Sequence, residues 1–225
     1  MKKIRALLTD LDGTLIASVD PICNALFECF RHVDAPVPEK QQIVDMFGLP
    51  VEVMLMELGG VKPEETDRID RFIAEYKRQY PIHMVTAKIL PGVEETLDFY
   101  HQANVKICLI TNERRQNATH ILQALGLSNY VEYMISRDDV TRFKPDPQPL
   151  LLAAKEVGEA EADCAYIGEA PYDIQAGVAS GIFTVAVPSG TWSKQSLEDC
   201  HPDQMIEEFS DLRKWLQPVN GGICK

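Results

Sequence analysis

Ile4-Arg5-Ala6-Leu7-Leu8-Thr9-Asp10-Leu11-Asp12-Gly13-Thr14 is the stretch on which the fold turns. Residues 4–9 form a short, nearly unbroken apolar run of strand length, and it stops at two acids, a glycine and a threonine. A strand that is apolar on both faces is buried on both faces, which is the habit of a parallel sheet covered by helices. The same signature recurs at residues 105–111 (VKICLIT), 133–136, 165–168 and 183–187. Helical periodicity fills the gaps between these runs. Pro91 at a helix start precedes Val93, Leu97 and Tyr100; Ala118, Ile121, Leu122 and Leu125 are closed by Gly126; residues 150–157 are closed by Gly158 and 172–180 by Gly181. The alternation predicts an α/β fold, a Rossmann-like parallel sheet flanked by helices.

Residues 20–88 break that rhythm. Asp20 and Pro21 suit a helix start, and Ile22, Ala25, Leu26, Cys29 and Phe30 then fall on one helical face. A loop at 34–39 leads to a short second helix ending near Gly48. Pro50 opens a third, with Val51, Met54, Leu55 and Leu58 inward and Gly59-Gly60 ending it. Pro63 opens a fourth, carrying Ile69, Phe72, Ile73, Tyr76 and Tyr80, and Pro81 is expected to stop it. These stripes read as packing surfaces of an all-helical insert placed after the first strand.

Composition narrows the function classes. The chain has 225 residues, 45% of them hydrophobic and 25% charged, the profile of an ordinary globular protein. Acids outnumber bases 34 to 22, for a formal charge of −12. Such a surface repels nucleic acid and anionic membranes, and no local basic patch offsets it. The six cysteines form no CxxC pair, so zinc and thioredoxin-like chemistry have no support. The first apolar stretch is interrupted by Asp10 and Asp12, and no run reaches the length of a membrane helix. A cytoplasmic setting is the expectation. Residues 220–225 are expected to fray.

The chemistry gathers where the strands end, the edge at which open parallel sheets bind ligands. The first strand ends in Asp10-Leu11-Asp12-Gly13-Thr14, the second in Thr111-Asn112; the third leads into Lys144-Pro145-Asp146-Pro147, and the fourth ends in Gly168-Glu169 with Asp173 four residues on. Each has an ordinary reading alone. Asp and Gly make turns, Thr111-Asn112 can cap a helix, a lysine is usually a surface charge, and Asp173 suits a helix start opened by Pro171. A calcium loop counted from Asp10 fails, because Leu15 and Pro21 stand where Gly and Glu are needed. Taken together, Asp10, Asp12, Glu169 and Asp173 crowd one crevice. Crowded, partly desolvated carboxylates repel unless a cation joins them. An oxygen-only donor set points to a hard cation, Mg²⁺ above others, because it keeps positions for water and phosphate. Lys144 would offset phosphoryl charge, and Thr111 with the N–H groups after it would hold phosphoryl oxygens.

The ordered set DLDGT, ITN, KPDP and GEAPYD resembles the four motifs of the haloacid dehalogenase-like hydrolase superfamily. The insert between the first and second motifs resembles its small-helical-cap subclass, phosphoglycolate phosphatase-like and pyrophosphatase-like members in particular. The resemblance implies a core of residues 1–17 and 89–225 and a helical cap of residues 18–88. It implies a Mg²⁺-dependent phosphatase acting on a small phosphorylated metabolite, phosphoglycolate-like, through an aspartyl-phosphate. Asp10 would be the nucleophile and Asp12 the general acid and base, with Thr111, Asn112 and Lys144 holding phosphate. Metal would fall to Asp10, Asp12 through its carbonyl, and Glu169 or Asp173.

Two departures from the family pattern stand out. Glu169 replaces the usual aspartate of the fourth motif, and Ala17-Ser18 lacks an acid often found there. Asp12 argues against true dehalogenation. A sugar-phosphate mutase, a pyrophosphatase or phosphonate hydrolase, and a non-catalytic binding protein on the same fold are the alternatives. Monomer and homodimer are equally compatible with the sequence.

Overall fold

The computed structural model describes residues 1–219, so the expected fraying at 220–225 lies outside the described residues. The chain opens with β1 (Lys2–Ile4), β2 (Ala6–Thr9) and β3 (Ile16–Ala17). Four helices follow: α1 (Val19–His32), α2 (Lys40–Val44), α3 (Val51–Gly59) and α4 (Thr66–Met84). Strand and helix then alternate through β4 (Lys88–Ile89), α5 (Val93–Gln102), β5 (Lys106–Ile110), α6 (Arg115–Ala124), β6 (Tyr133–Ile135), α7 (Gln148–Val157), β7 (Cys164–Gly168), α8 (Pro171–Ser180) and β8 (Phe183–Ala186). The described chain closes with α9 (Lys194–Glu198), β9 (Gln204–Met205), α10 (Leu212–Trp215) and β10 (Leu216–Pro218).

The central sheet has six strands in the order β6-β5-β2-β7-β8-β9, and every neighbouring pair is parallel. The chain builds outward from β2 to one side, returns, and builds to the other. The loops beside β2 therefore diverge at its carboxyl end and leave a crevice there. Strand alternation splits the core. Leu7, Ile107, Leu109 and Ile167 join one apolar cluster, and Ala6, Leu8, Cys108, Ile110 and Tyr166 join the other. Helices cover both clusters, which is why these strands are almost continuously apolar, with Thr9 and Lys106 at their ends as the exceptions. Among the described residues no helix is long and apolar enough to cross a membrane.

The helical insert packs through α1 and α4. Phe30 and Phe72 are fully buried with ring centroids 4.9 Å apart, and Cys29 Sγ donates to the Phe72 carbonyl at 3.4 Å. The two crossings between insert and sheet run side by side, because β3 and β4 pair antiparallel, Ile16 with Ile89 and Ala17 with Lys88.

Several helix boundaries differ from the sequence expectation. Pro81 does not stop the fourth helix, which runs to Met84 with Pro81 inside it. Its missing N–H removes one helix bond. Phe72, Tyr76, Tyr80 and Met84, spaced by four, continue one buried face through it, and burying that face outweighs the lost bond. The same helix begins at Thr66 rather than at Pro63, and α5 begins at Val93 after a left-handed Gly92 rather than at Pro91. The first helix has Ser18 at its N-cap position, without a side-chain capping bond, and Asp20 stands inside its first turn, where its carboxylate meets Lys40 Nζ at 2.7 Å.

Candidate active site

The carboxyl end of β2 delivers Asp10 into a crevice roofed by the insert. Asp10 N donates to the Ile167 carbonyl of β7 at 3.0 Å, which fixes the backbone as it leaves the sheet. Gly13 then turns at φ 76, and the carboxyl of Glu169 packs against it so closely that a Cβ there would meet Glu169 Oε1 at 2.5 Å. The turn thus needs glycine for its conformation and for the space that Glu169 occupies.

Lys144 is the hub. Its Nζ lies 2.6 Å from Asp10 Oδ1 and 2.6 Å from Asp173 Oδ1, and donates to the Ile110 carbonyl and the Tyr166 hydroxyl, each at 3.2 Å. Lys144 and both carboxylates are buried. Burial works against the charged amine, but Asp10 and Asp173 outweigh it and hold the Lys144 pKa above its ordinary value. Asp173 is saturated. Its Oδ1 also accepts from the Tyr166 hydroxyl at 2.7 Å, and its Oδ2 accepts from Glu169 N at 3.2 Å and Ala170 N at 3.0 Å. Asp10 Oδ2 makes no hydrogen bond among the described residues, so one oxygen of Asp10 remains open.

The remaining sequence-selected residues fall around the same crevice. Asp12, Thr111, Asn112 and Glu169 line it together with Asp10, Lys144 and Asp173. Thr111 Oγ1 accepts from Glu113 N at 3.0 Å, and Asn112 Nδ2 donates to the Gly48 carbonyl of the insert at 2.6 Å. Asp12 Oδ1 is buried without a hydrogen-bond partner.

Sequence reasoning missed several neighbours. The Tyr166 hydroxyl clamps the lysine cluster; the one available signal was a polar-tipped aromatic inside a buried strand, which must find a partner. Ser189, in the loop after β8, donates to Glu169 Oε2 at 2.6 Å. Residues 47–49, a stretch that resembles the same family members, also line the crevice, as do Glu113 and Tyr76, whose local pattern announced nothing.

The electrostatics are those of a site with too little positive charge. Burial, then Asp173, push the Asp10 pKa up to about 7. Burial raises Asp12 as well, pushes Glu169 up to about 8, and, with Asp12 adding to it, pushes Glu113 up to about 7. One lysine serves Asp10, Asp12 and Asp173, and Glu169 has Ser189 as its partner instead. Among the described residues no three His, Cys, Asp or Glu side chains converge as a finished metal cage. The donors nonetheless suit a hard cation: oxygen only, one orphaned buried carboxylate oxygen on Asp12, and an open oxygen on Asp10.

A stability consequence follows from Glu169 and Glu113. Their carboxyls start from 4.5 in the unfolded chain and are raised to about 8 and about 7 in the folded one. Between those limits the folded state holds more protons, so stability falls as pH rises through the window and levels off above it. In metal-free buffer the calorimetric melting temperature is expected to fall by several degrees between roughly pH 5 and roughly pH 8.5, and Glu169→Gln should flatten the fall. A melting temperature that climbs across this range in the unsubstituted protein would contradict the burial of these acids.

A family model described as haloacid dehalogenase-like hydrolase matches residues 7–187. Pyrophosphatase PpaX of Bacillus velezensis is 26% identical to this chain over 211 residues, covering 94% of this chain and 95% of that protein. Phosphoglycolate phosphatase of Pectobacterium atrosepticum is 28% identical over 218 residues, covering 93% and 91%. The crystal structure of a hydrolase from Pseudomonas syringae superposes with a TM-score of 0.79 at 29% identity, covering 92% of this chain and 95% of that one.

Proposed function

The chain belongs to the haloacid dehalogenase-like hydrolase family, and from that premise we propose that it is a Mg²⁺-dependent phosphatase. It hydrolyses a small phosphorylated metabolite, a phosphomonoester, through an aspartyl-phosphate on Asp10. The observation that carries this reading is the buried Asp10–Lys144–Asp173 cluster at the end of β2, with one Asp10 oxygen free and facing a lined crevice. Residues 1–17 and 89–225 are the catalytic core, and residues 18–88 are the cap whose Ile22, Phe47 and Met54 roof it.

Asp10 attacks phosphorus as the ester P–O bond breaks, and Asp12 gives its proton to the departing oxygen. The raised pKa of Asp12 supports the protonated form that this step needs. Asp12 then takes a proton from water, whose oxygen attacks the aspartyl-phosphate and returns Asp10 and inorganic phosphate. Thr111 and Asn112 hold phosphoryl oxygens from the end of β5, and Lys144 offsets phosphoryl charge and aims Asp10. Asp173 positions Lys144 and is fully committed to it, to Tyr166 and to two backbone N–H groups. Glu169 therefore suits the metal better than Asp173, beside Asp10 and the Asp12 carbonyl. When bound there, Mg²⁺ supplies the positive charge that the acids lack and stabilises the phosphoryl in transfer.

Hydrolysis of an aryl phosphate tests the reading. Turnover is expected with Mg²⁺ and is expected to disappear with a chelator and return when Mg²⁺ is restored. No turnover under any divalent cation would refute it. The relatives' names make phosphoglycolate and pyrophosphate natural companions in the same assay.

A further inference from the structure

The two acids that follow β7 are held in different ways. Asp173 pairs with Lys144 at 2.6 Å, so its charge is already answered. Glu169 is just as buried, yet no lysine or arginine pairs with it among the described residues. Its partners are hydroxyls from the loop after β8. Ser189 Oγ donates to Glu169 Oε2 at 2.6 Å, and the Thr191 hydroxyl lies beside the same carboxyl, 3.3 Å from Ser189 Oγ.

Three features bring that loop to the acid. Val187 N donates to the Gly168 carbonyl at 3.0 Å, which carries the pairing of β7 with β8 past Ala186 and starts the loop beside Glu169. Gly190, between the two hydroxyl residues, adopts φ 99, a conformation that favours glycine. Trp192 meets Tyr172 of α8 edge-on with ring centroids 6.2 Å apart, which ties the far end of the loop to the helix that follows Glu169. From the opposite side, Gly13 leaves the space: a Cβ there would meet Oε1, Cδ and Cγ of Glu169, all within 2.8 Å. The Glu169 side chain therefore lies between the hydroxyl loop and the turn that follows Asp12. A neutral hydroxyl fixes the direction of a carboxylate without cancelling its charge, whereas an ammonium does both.

We propose that Ser189, supported by Thr191, is the positioning residue for the metal ligand Glu169. It holds this carboxylate against the turn that carries Asp10 and Asp12 and leaves its negative charge for the cation. The inference rests on the Mg²⁺ site proposed above and adds the residues that hold its ligand in place. It also accounts for the glutamate of the fourth motif. A side chain one methylene longer than aspartate has more rotamer freedom to lose, and the hydroxyl clamp removes that freedom before the metal arrives.

The probe is Mn²⁺ added to metal-free protein, with the free ion followed by electron paramagnetic resonance and Mg²⁺ measured by competition. Ser189→Ala with Thr191→Val is expected to weaken Mn²⁺ binding by about tenfold or more. Ser189 is exposed and Thr191 half-buried, so these substitutions leave the core untouched, and Ser189→Ala alone is expected to show most of the loss. Ser189→Thr, which keeps a hydroxyl, is expected to stay within about threefold of the parent. In a Glu169→Ala background the hydroxyl substitutions are expected to change the affinity by less than about twofold, because they act through that carboxylate. A role limited to holding the loop would lower the melting temperature of the metal-free protein and leave the Mn²⁺ affinity where it was. Unchanged affinity in the doubly substituted protein, or a loss of equal size without Glu169, overturns the proposal and leaves the Mg²⁺-dependent phosphatase reading standing. A parent protein that binds neither Mn²⁺ nor Mg²⁺ ends both.

Discussion

Asp10→Asn is expected to abolish aryl-phosphate turnover, by about four orders of magnitude or more, while the protein keeps its fold. The amide is nearly isosteric with the carboxylate, and its oxygen can still accept from Lys144 Nζ, which lies 2.6 Å from Asp10 Oδ1. It cannot form an acyl-phosphate as the carboxylate does. It also removes one of the acids whose mutual repulsion raises the Asp10 pKa, so no loss of stability is expected. Steady-state turnover and a calorimetric melt on the same sample separate the two effects. Turnover within about tenfold of the parent enzyme would remove Asp10 from the nucleophile's role.

Lys144→Met is expected to cost both activity and stability, and the stability loss is the larger surprise for a lysine. In most proteins a lysine is a solvated surface charge. Here the side chain is buried and holds Asp10 and Asp173 on either side of its amine. Removing it strands two buried carboxylates, the Tyr166 hydroxyl and the Ile110 carbonyl. Breaking a buried ion pair from one side costs about 3–5 kcal/mol. The melting temperature should fall by about 6 °C or more at neutral pH. The penalty shrinks toward acid pH, because the stranded carboxyls can then take up protons. Lys144→Met with Asp173→Asn should recover part of the stability, since one stranded charge is gone, but none of the activity. A variant as stable as the parent at neutral pH would show that the cluster is not the strut described here.

Elements differ in how far local sequence reveals them, and the reason is physical. Residues of β2, β5 and β7 are apolar at consecutive positions because the sheet is buried on both faces, and that pattern needs no knowledge of neighbours. By contrast β3, β4 and β9 have two residues each, too few to carry a period. The pairing of β1 with β10 joins strands from opposite ends of the chain, so no local pattern announces it. Helix α4 runs through Pro81 because packing of its buried face outweighs a local cost, and a local rule therefore misplaces its end. The acids, Thr111 and Lys144 were legible because each stands directly after a strand or in a loop with its own motif. Tyr166, Ser189 and Glu113 were not, since what matters there is which atom lies within reach.

By itself the sequence determined the kind of fold, the family and the set of groups that meet at the strand ends. Periodicity and residue chemistry are local properties, and they survive without coordinates. Only the tertiary structure decided how those groups divide the work. It brought Lys144 to Asp10 across 134 residues, saturated both oxygens of Asp173, and left one oxygen of Asp10 without a hydrogen bond among the described residues. It also paired Arg114 and Arg137 with Glu52 of the insert, and Arg115 with Asp139. A hydrogen bond depends on distances of a few tenths of an ångström, set by how every layer packs, and no stretch of the chain carries that information alone.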